Sequence, residues 1–226
     1  MIFADDFCNE IEAQLEPYDL LNHPFYQAWS NGALELADLQ DYAAQYYHHV
    51  FEFPAYLARL YATSRSTKQR KVLAGNFAEE AVGTDNHPDL WLRFAEGLGL
   101  AREAVKDAVI KEHTQRLIDG YNELAGNCPR GIGALYAYER QTPAIAQSKI
   151  EGLKKFYNIG DVQSLQFFTT HIEADKWHSD ECRALVVEMS PAEQEEAKVG
   201  AVAGAKLLWQ FLDGCTVGQE LKCAAC

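Results

Sequence analysis

His171, Asp175 and His178 stand at i, i+4 and i+7 within the segment 167–178. At about 3.6 residues per turn these three side chains stack on one face of a helix. Two imidazoles and a carboxylate on one face form a ligand set for a divalent transition metal. Phe167, Phe168 and Ala174 give that face an apolar setting. A carboxylate buried there is costly unless a partner or a cation neutralises it. The plainer alternative is a polar face that happens to carry two histidines.

Glu80 and His87 form a second candidate pair, seven residues apart. They share a face if one helix spans both. If Gly83 ends the helix, the loop has to fold His87 back, and otherwise Glu80 is a surface carboxylate and His87 a helix-entry residue. Glu139 is a third candidate, a carboxylate closing the apolar run Leu135-Tyr136-Ala137-Tyr138. A residue of that kind is a ligand or the partner of a nearby arginine. Together these positions supply three carboxylates and three histidines from three helices, the ligand load of a two-metal site in a helical bundle. The chain has Asp175-x-x-His178 but no Glu-x-x-His motif, so a ferritin-like centre does not fit.

The elements that must position these residues read as helices. Apolar residues recur at three- and four-residue spacing along most of the chain, and no Asn-Gly or Asp-Gly hairpin interrupts them. Caps and breakers place helices near 3–16, 24–31, 37–62, 66–82, 88–98, 101–126, 130–156, 161–188 and 191–213. Ser66 and Ser190-Pro191 open two of them. Pro54 and Pro143 fall inside two others and are expected to kink them. The fold class is all-α, with one helical domain over 1–214. Residues 215–226 read as a loose tail ending in Cys223-Ala224-Ala225-Cys226, a dithiol suited to electron transfer or stray metal, or an unselected end.

The composition narrows the function. Twenty basic against 33 acidic residues give a net charge of −13, with 48% apolar and 23% charged residues. That charge disfavours nucleic acid, and no basic patch offsets it. No apolar run reaches the roughly 18–20 residues of a membrane span, and the N-terminus is acidic where a signal peptide is basic. A cytoplasmic protein with free thiols is expected, and helical chains of this size commonly form symmetric dimers.

The order Glu-x6-His, a mid-helix Glu, then His-x3-Asp-x2-His resembles the haem-oxygenase-like di-metal oxidases. Within them it resembles the chlamydial CADD group and its bacterial relatives, in the wider TenA/PqqC-like fold group. Residues 23–29, 45–49, 87–94, 134–139 and 149–154 carry the resemblance, which runs to about Gly214. It implies a bundle of about seven main helices. It also implies two metal ions, Fe/Fe or Fe/Mn, held by Glu80, His87, Glu139, His171, Asp175 and His178. Dioxygen would be the co-substrate, and an external donor would supply electrons. The implied activity lies in para-aminobenzoate synthesis for folate, with Tyr26 consumed as the aromatic precursor and Lys149 as amino donor. Tyr42 and Tyr138 would act as radical or proton relays. One departure is Phe167, where the chlamydial relative has a tyrosine.

The residues themselves leave other readings open. Tyr26 beside Trp29 is simply core packing, and the run Tyr46-Tyr47-His48-His49 either supplies hydrogen bonds to the metal ligands or forms a half-buried aromatic band. Lys149, four residues after Ile145 on an apolar stripe, is either partly buried and nucleophilic or snorkelling to the surface. The alternative function is a cofactor-free PqqC-like or TenA-like enzyme of cofactor biosynthesis. A non-enzymatic interaction protein is a further alternative.

Overall fold

A computed structural model describes residues 2–216, and every α-helix expected from the sequence is present, two of them in pieces. In chain order they are α1 (Ile2–Leu15), α2 (Pro24–Ser30), α3 (Leu36–Thr63), α4 (Thr67–Ala81), α5 (His87–Gly97), α6 (Arg102–Lys106), α7 (Glu112–Ala125), α8 (Cys128–Glu139), α9 (Thr142–Phe156), α10 (Val162–Val187) and α11 (Pro191–Thr216). Two short 3-10 turns, Glu16–Tyr18 and Leu20–Asn22, link α1 to α2. Among the described residues there are no strands. The fold class is therefore all-α, with eleven α-helices among the described residues where caps and breakers placed nine.

The extra helices come from two splits. The helix expected over 101–126 breaks after Lys106, because α3 offers its loop better partners than a helix would. The Gln45 amide donates to the Val109 carbonyl (3.0 Å) and accepts from the Lys111 backbone N–H (2.9 Å) and the Thr114 hydroxyl (2.7 Å). The helix expected over 130–156 breaks at Arg140-Gln141. Pro143 does not kink a helix interior; it lies in the first turn of α9. Its ring would meet the Glu139 carbonyl in a continuous helix. The side chains of Gln141 and Thr142 instead donate to the Ala137 and Tyr138 carbonyls at 3.1 and 3.0 Å, capping α8. Helix α3 runs on through Pro54. Helix α11 extends to Thr216, two residues into the expected tail, while Cys223 and Cys226 lie outside the described residues.

The contact that fixes α8 is made of small residues. A Cβ on Gly133 would stand 1.9 Å from the Ala197 carbonyl oxygen of α11, and one on Gly200 2.0 Å from that of Arg130. Ala197, Ala201 and Ala205 are fully buried on the same α11 stripe. The two backbones thus approach closer than any larger side chain permits. Gly133→Val is expected to lower stability by about 3 kcal/mol or more through overpacking against backbone. In a chain of this size that is a fall in melting temperature of roughly 6–12 °C, readable by circular dichroism. An unchanged melting temperature would mean the helices can part cheaply.

Helix α10 packs on α5, α8 and α9, and α3 on α4, α5 and α7. The ends of α4, α5 and α8 therefore meet the middle of α10. No helix among the described residues is long and apolar enough to cross a membrane.

Candidate metal centre

Helix α4 delivers Glu80 on its last turn, and the chain then reverses. Gly83 takes φ +97°, a left-handed conformation that favours glycine. Asn86 caps α5, accepting from the Asp89 backbone N–H at 3.0 Å and donating to the Gly83 carbonyl at 2.9 Å. The reversal folds His87 back onto Glu80, so that His87 Nδ1 lies 2.5 Å from Glu80 Oε2. The two residues meet across a loop and not along one helix.

His171 of α10 completes a cluster in which one ligand atom from each of Glu80, His87 and His171 lies within 4.8 Å of the others. All three are buried. His171 Nδ1 donates to the Phe167 carbonyl at 2.7 Å, one turn back, which leaves Nε2 as the free lone pair. The Phe167 ring packs 4.1 Å from the His171 ring and 4.7 Å from Trp91. The residue that departs from the chlamydial pattern therefore serves as packing for a candidate ligand.

The other three candidates lie alongside. Asp175 and His178, one turn and two turns beyond His171, are each 3% exposed, with His178 Nδ1 3.6 Å from Asp175 Oδ1. His178 Nε2 also faces Glu79 at 3.2 Å. Burial lowers the affinity of His178 for a proton, but the hydrogen bond to Asp175 and the charges of Glu139, Glu79 and Asp175 outweigh it and raise its pKa to about 9. Glu139, at the end of α8, is 2% exposed. Burial first, then the charge of Asp175, pushes its pKa up to about 8. Crowded buried carboxylates of this kind call for a cation.

Two details fit a metal. Asp175 Oδ2 is buried without a hydrogen-bond partner, and His87 Nδ1 approaches Glu80 without making a true hydrogen bond. The donor set, carboxylate and imidazole only, suits iron or manganese.

A second cluster lies against this one. Lys149 of α9 is 6% exposed, and its Nζ donates to the Tyr42 hydroxyl at 2.7 Å. The Tyr26 and Tyr42 hydroxyls are 3.1 Å apart, as are those of Tyr46 and Tyr138. The Tyr42 and Tyr46 rings stack at 5.5 Å. Lys149 Nζ lies 5.0 Å from the centre of the Tyr26 ring. Burial pushes the Lys149 pKa down to about 7 and those of Tyr26 and Tyr42 well above the usual phenol range, so the phenols stay neutral.

A cavity of about 30 Å³ joins the two clusters; Tyr26, Tyr46, Tyr138, Lys149, Phe167 and His171 line it. It has room for about one water molecule. The sequence left Lys149 open between burial and the surface, and Tyr46 open between hydrogen bonding around the metal site and band packing; the structure buries Lys149 and bonds Tyr46 to Tyr138. Sequence reasoning passed over Asn76, Glu79 and Cys182, which touch the candidate ligands. Helical spacing aligns Asn76 with Glu80 and Cys182 with His178, each four residues apart, but gives no sign that both reach Glu139.

Residues 40–213 match the haem-oxygenase-like iron-containing redox enzymes. The chain belongs to that family. It is 34% identical over 206 residues to the 4-aminobenzoate synthase of Chlamydia pneumoniae, covering 89% of this chain and 91% of the relative. It is equally 34% identical over 224 residues to that of Nitrosomonas europaea, covering 93% and 91%. A haem-oxygenase-like structure from Shewanella denitrificans superposes with a TM-score of 0.80 at 18% identity, covering 98% of both chains. The fold is thus that of the haem-oxygenase-like TenA group, and the family supports an oxidative enzyme that uses metal.

Lys149 gives a test of its own burial. An unfolded lysine titrates near 10.4, so between that pH and about 7 the unfolded chain binds a proton that the folded chain does not. Wild-type stability should therefore rise with pH across this window, relative to Lys149→Met, by a few kcal/mol in all. Urea unfolding of both proteins at pH 7 and pH 9 checks it. Parallel behaviour at the two pH values would show Lys149 charged and solvated.

Proposed function

We propose that this protein makes 4-aminobenzoate by a dioxygen-dependent oxidation at a two-metal centre, drawing the aromatic ring from its own Tyr26 and the nitrogen from Lys149. Glu80, His87, Glu139, His171, Asp175 and His178 would hold the two ions, as Fe/Fe or Fe/Mn, and the ions would supply the redox chemistry with dioxygen. An external donor would provide electrons.

The observation that carries this reading is the shared cavity: candidate ligand His171, the amine of Lys149 and the ring of Tyr26 line one space. That space of about 30 Å³ is far below the roughly 300 Å³ at which small-molecule pockets begin. A phenol is already in place there as a side chain. The protein's own groups are suited to their parts. Lys149, with its pKa lowered to about 7, carries a lone pair on a good fraction of molecules at neutral pH. Its contact with the Tyr42 hydroxyl gives a proton a path between amine and phenol. The surrounding rings of Trp29, Trp91 and Phe168 exclude water.

Protein grown on ring-labelled tyrosine, purified and loaded anaerobically with ferrous iron and manganese, tests the reading on exposure to air. Labelled 4-aminobenzoate, at no more than one molecule per chain, is the expected product. Unlabelled product, or many turnovers per chain, would mean that the ring comes from elsewhere.

A further inference from the structure

Glu139 is gripped at both of its oxygens. The Asn76 side-chain amide donates to Oε1 at 2.7 Å, and the Cys182 thiol donates to Oε2 at 3.3 Å. Both donors are buried, Asn76 at 3% and Cys182 at 1% exposure. They come from α4 and α10, the two helices that carry Glu80 and the His171–Asp175–His178 face, at one turn's distance from those residues. Glu139 itself needs the support. It closes α8, where the helix dipole turns its negative end toward a carboxylate, and Arg140 beside it pairs with Glu12 instead.

We propose that Asn76 and Cys182 are positioning residues of the metal centre, which together fix both oxygens of Glu139 in the orientation that receives the cations. The inference rests on the metal reading given above. A carboxylate on two rotatable bonds at a helix end has several orientations, and two donors from different helices leave it one. Each carboxylate oxygen has two lone pairs, so a donor on each still leaves one per oxygen for a metal. Asn76 meanwhile leaves its own Oδ1 buried and unpartnered. Its amide is committed to Glu139 by the N–H side, and the oxygen remains an acceptor for a group that arrives with the ions.

The test is Mn²⁺ titration of the metal-free full chain, with free Mn²⁺ counted by electron paramagnetic resonance and the melting temperature of each metal-free variant measured alongside. Outer-shell partners of metal ligands typically contribute 10–100-fold to affinity, so Asn76→Ala and Cys182→Ala should weaken Mn²⁺ binding by about that factor. Cys182→Ser keeps a donor of similar size and should bind close to the wild type. Cys182→Ala removes one atom only, so it keeps the test open if Asn76→Ala does not fold. A purely structural role would lower the melting temperature and leave the affinity of the folded protein unchanged. Wild-type affinity in Cys182→Ala and in folded Asn76→Ala, with Glu139→Ala impaired, would overturn this inference alone. Wild-type affinity in Glu139→Ala would overturn the ligand set beneath it.

Discussion

Tyr26→Phe is expected to abolish 4-aminobenzoate formation while leaving metal uptake at the wild-type level. The substitution removes one hydroxyl from a buried cluster. Tyr42 loses its 3.1 Å partner but keeps the 2.7 Å contact with Lys149, so the fold should lose only about 1 kcal/mol. No candidate metal ligand touches Tyr26 through a hydrogen bond among the described contacts; its links run to Tyr42, Phe25, Trp29 and Lys149. Product analysis and elemental metal content on the same preparation separate chemistry from folding. Product at the wild-type level would end the view that this ring is consumed, and would return Tyr26 to the packing role its neighbours also fit.

The second large effect is expected at His171. His171→Ala should reduce bound iron or manganese more severely than the roughly 10–100-fold that loss of an outer partner brings. It takes away the one imidazole of α10 that clusters with Glu80 and His87. It also opens a void beneath the Phe167 ring, 4.1 Å away, so a lower melting temperature should accompany the lost metal. His171→Gln, which fills more of the space, keeps the two effects apart. Metal retained in full by both variants would show that His171 is not a ligand.

The physical reason to expect ions lies in what the fold has buried together. Glu80, Glu139 and Asp175 converge with three histidines below 10% exposure, in a molecule that is already strongly acidic. Burial is the largest cause lifting Glu139 to a pKa of about 8, and the neighbouring Asp175 adds to it. The structure also leaves Asp175 Oδ2 without a partner. Cations bound here would satisfy all of these groups at once.

The candidate ligands on α10 were legible because the helix repeat alone aligns residues four and seven apart. His171, Asp175 and His178 needed nothing from the rest of the chain to share a face. Glu139 was legible as an oddity, one carboxylate ending an apolar run, but its donors were not. Asn76 and Cys182 reach it from positions 63 residues before and 43 after, a proximity that no local period encodes. Tyr46 likewise has an ordinary place in α3, and only its stacking on Tyr42 and its contact with Tyr138 make it part of the cavity wall.

The sequence by itself determined the all-helical class, the helix starts at Ser66 and Ser190-Pro191, and the residue types of a two-metal site. These depend on interactions within a few residues: caps, breakers and the 3.6-residue repeat. The tertiary structure decided where helices were cut and what met across them. Gln45 of α3 outbids the helix at 107–111 by hydrogen bonds reaching 64 and 66 residues along the chain. The Gly83 reversal turns a two-turn spacing into a 2.5 Å contact between Glu80 and His87. Both results come from burial, which makes an unpaired polar group costly and so lets distant side chains override the local preference of the backbone.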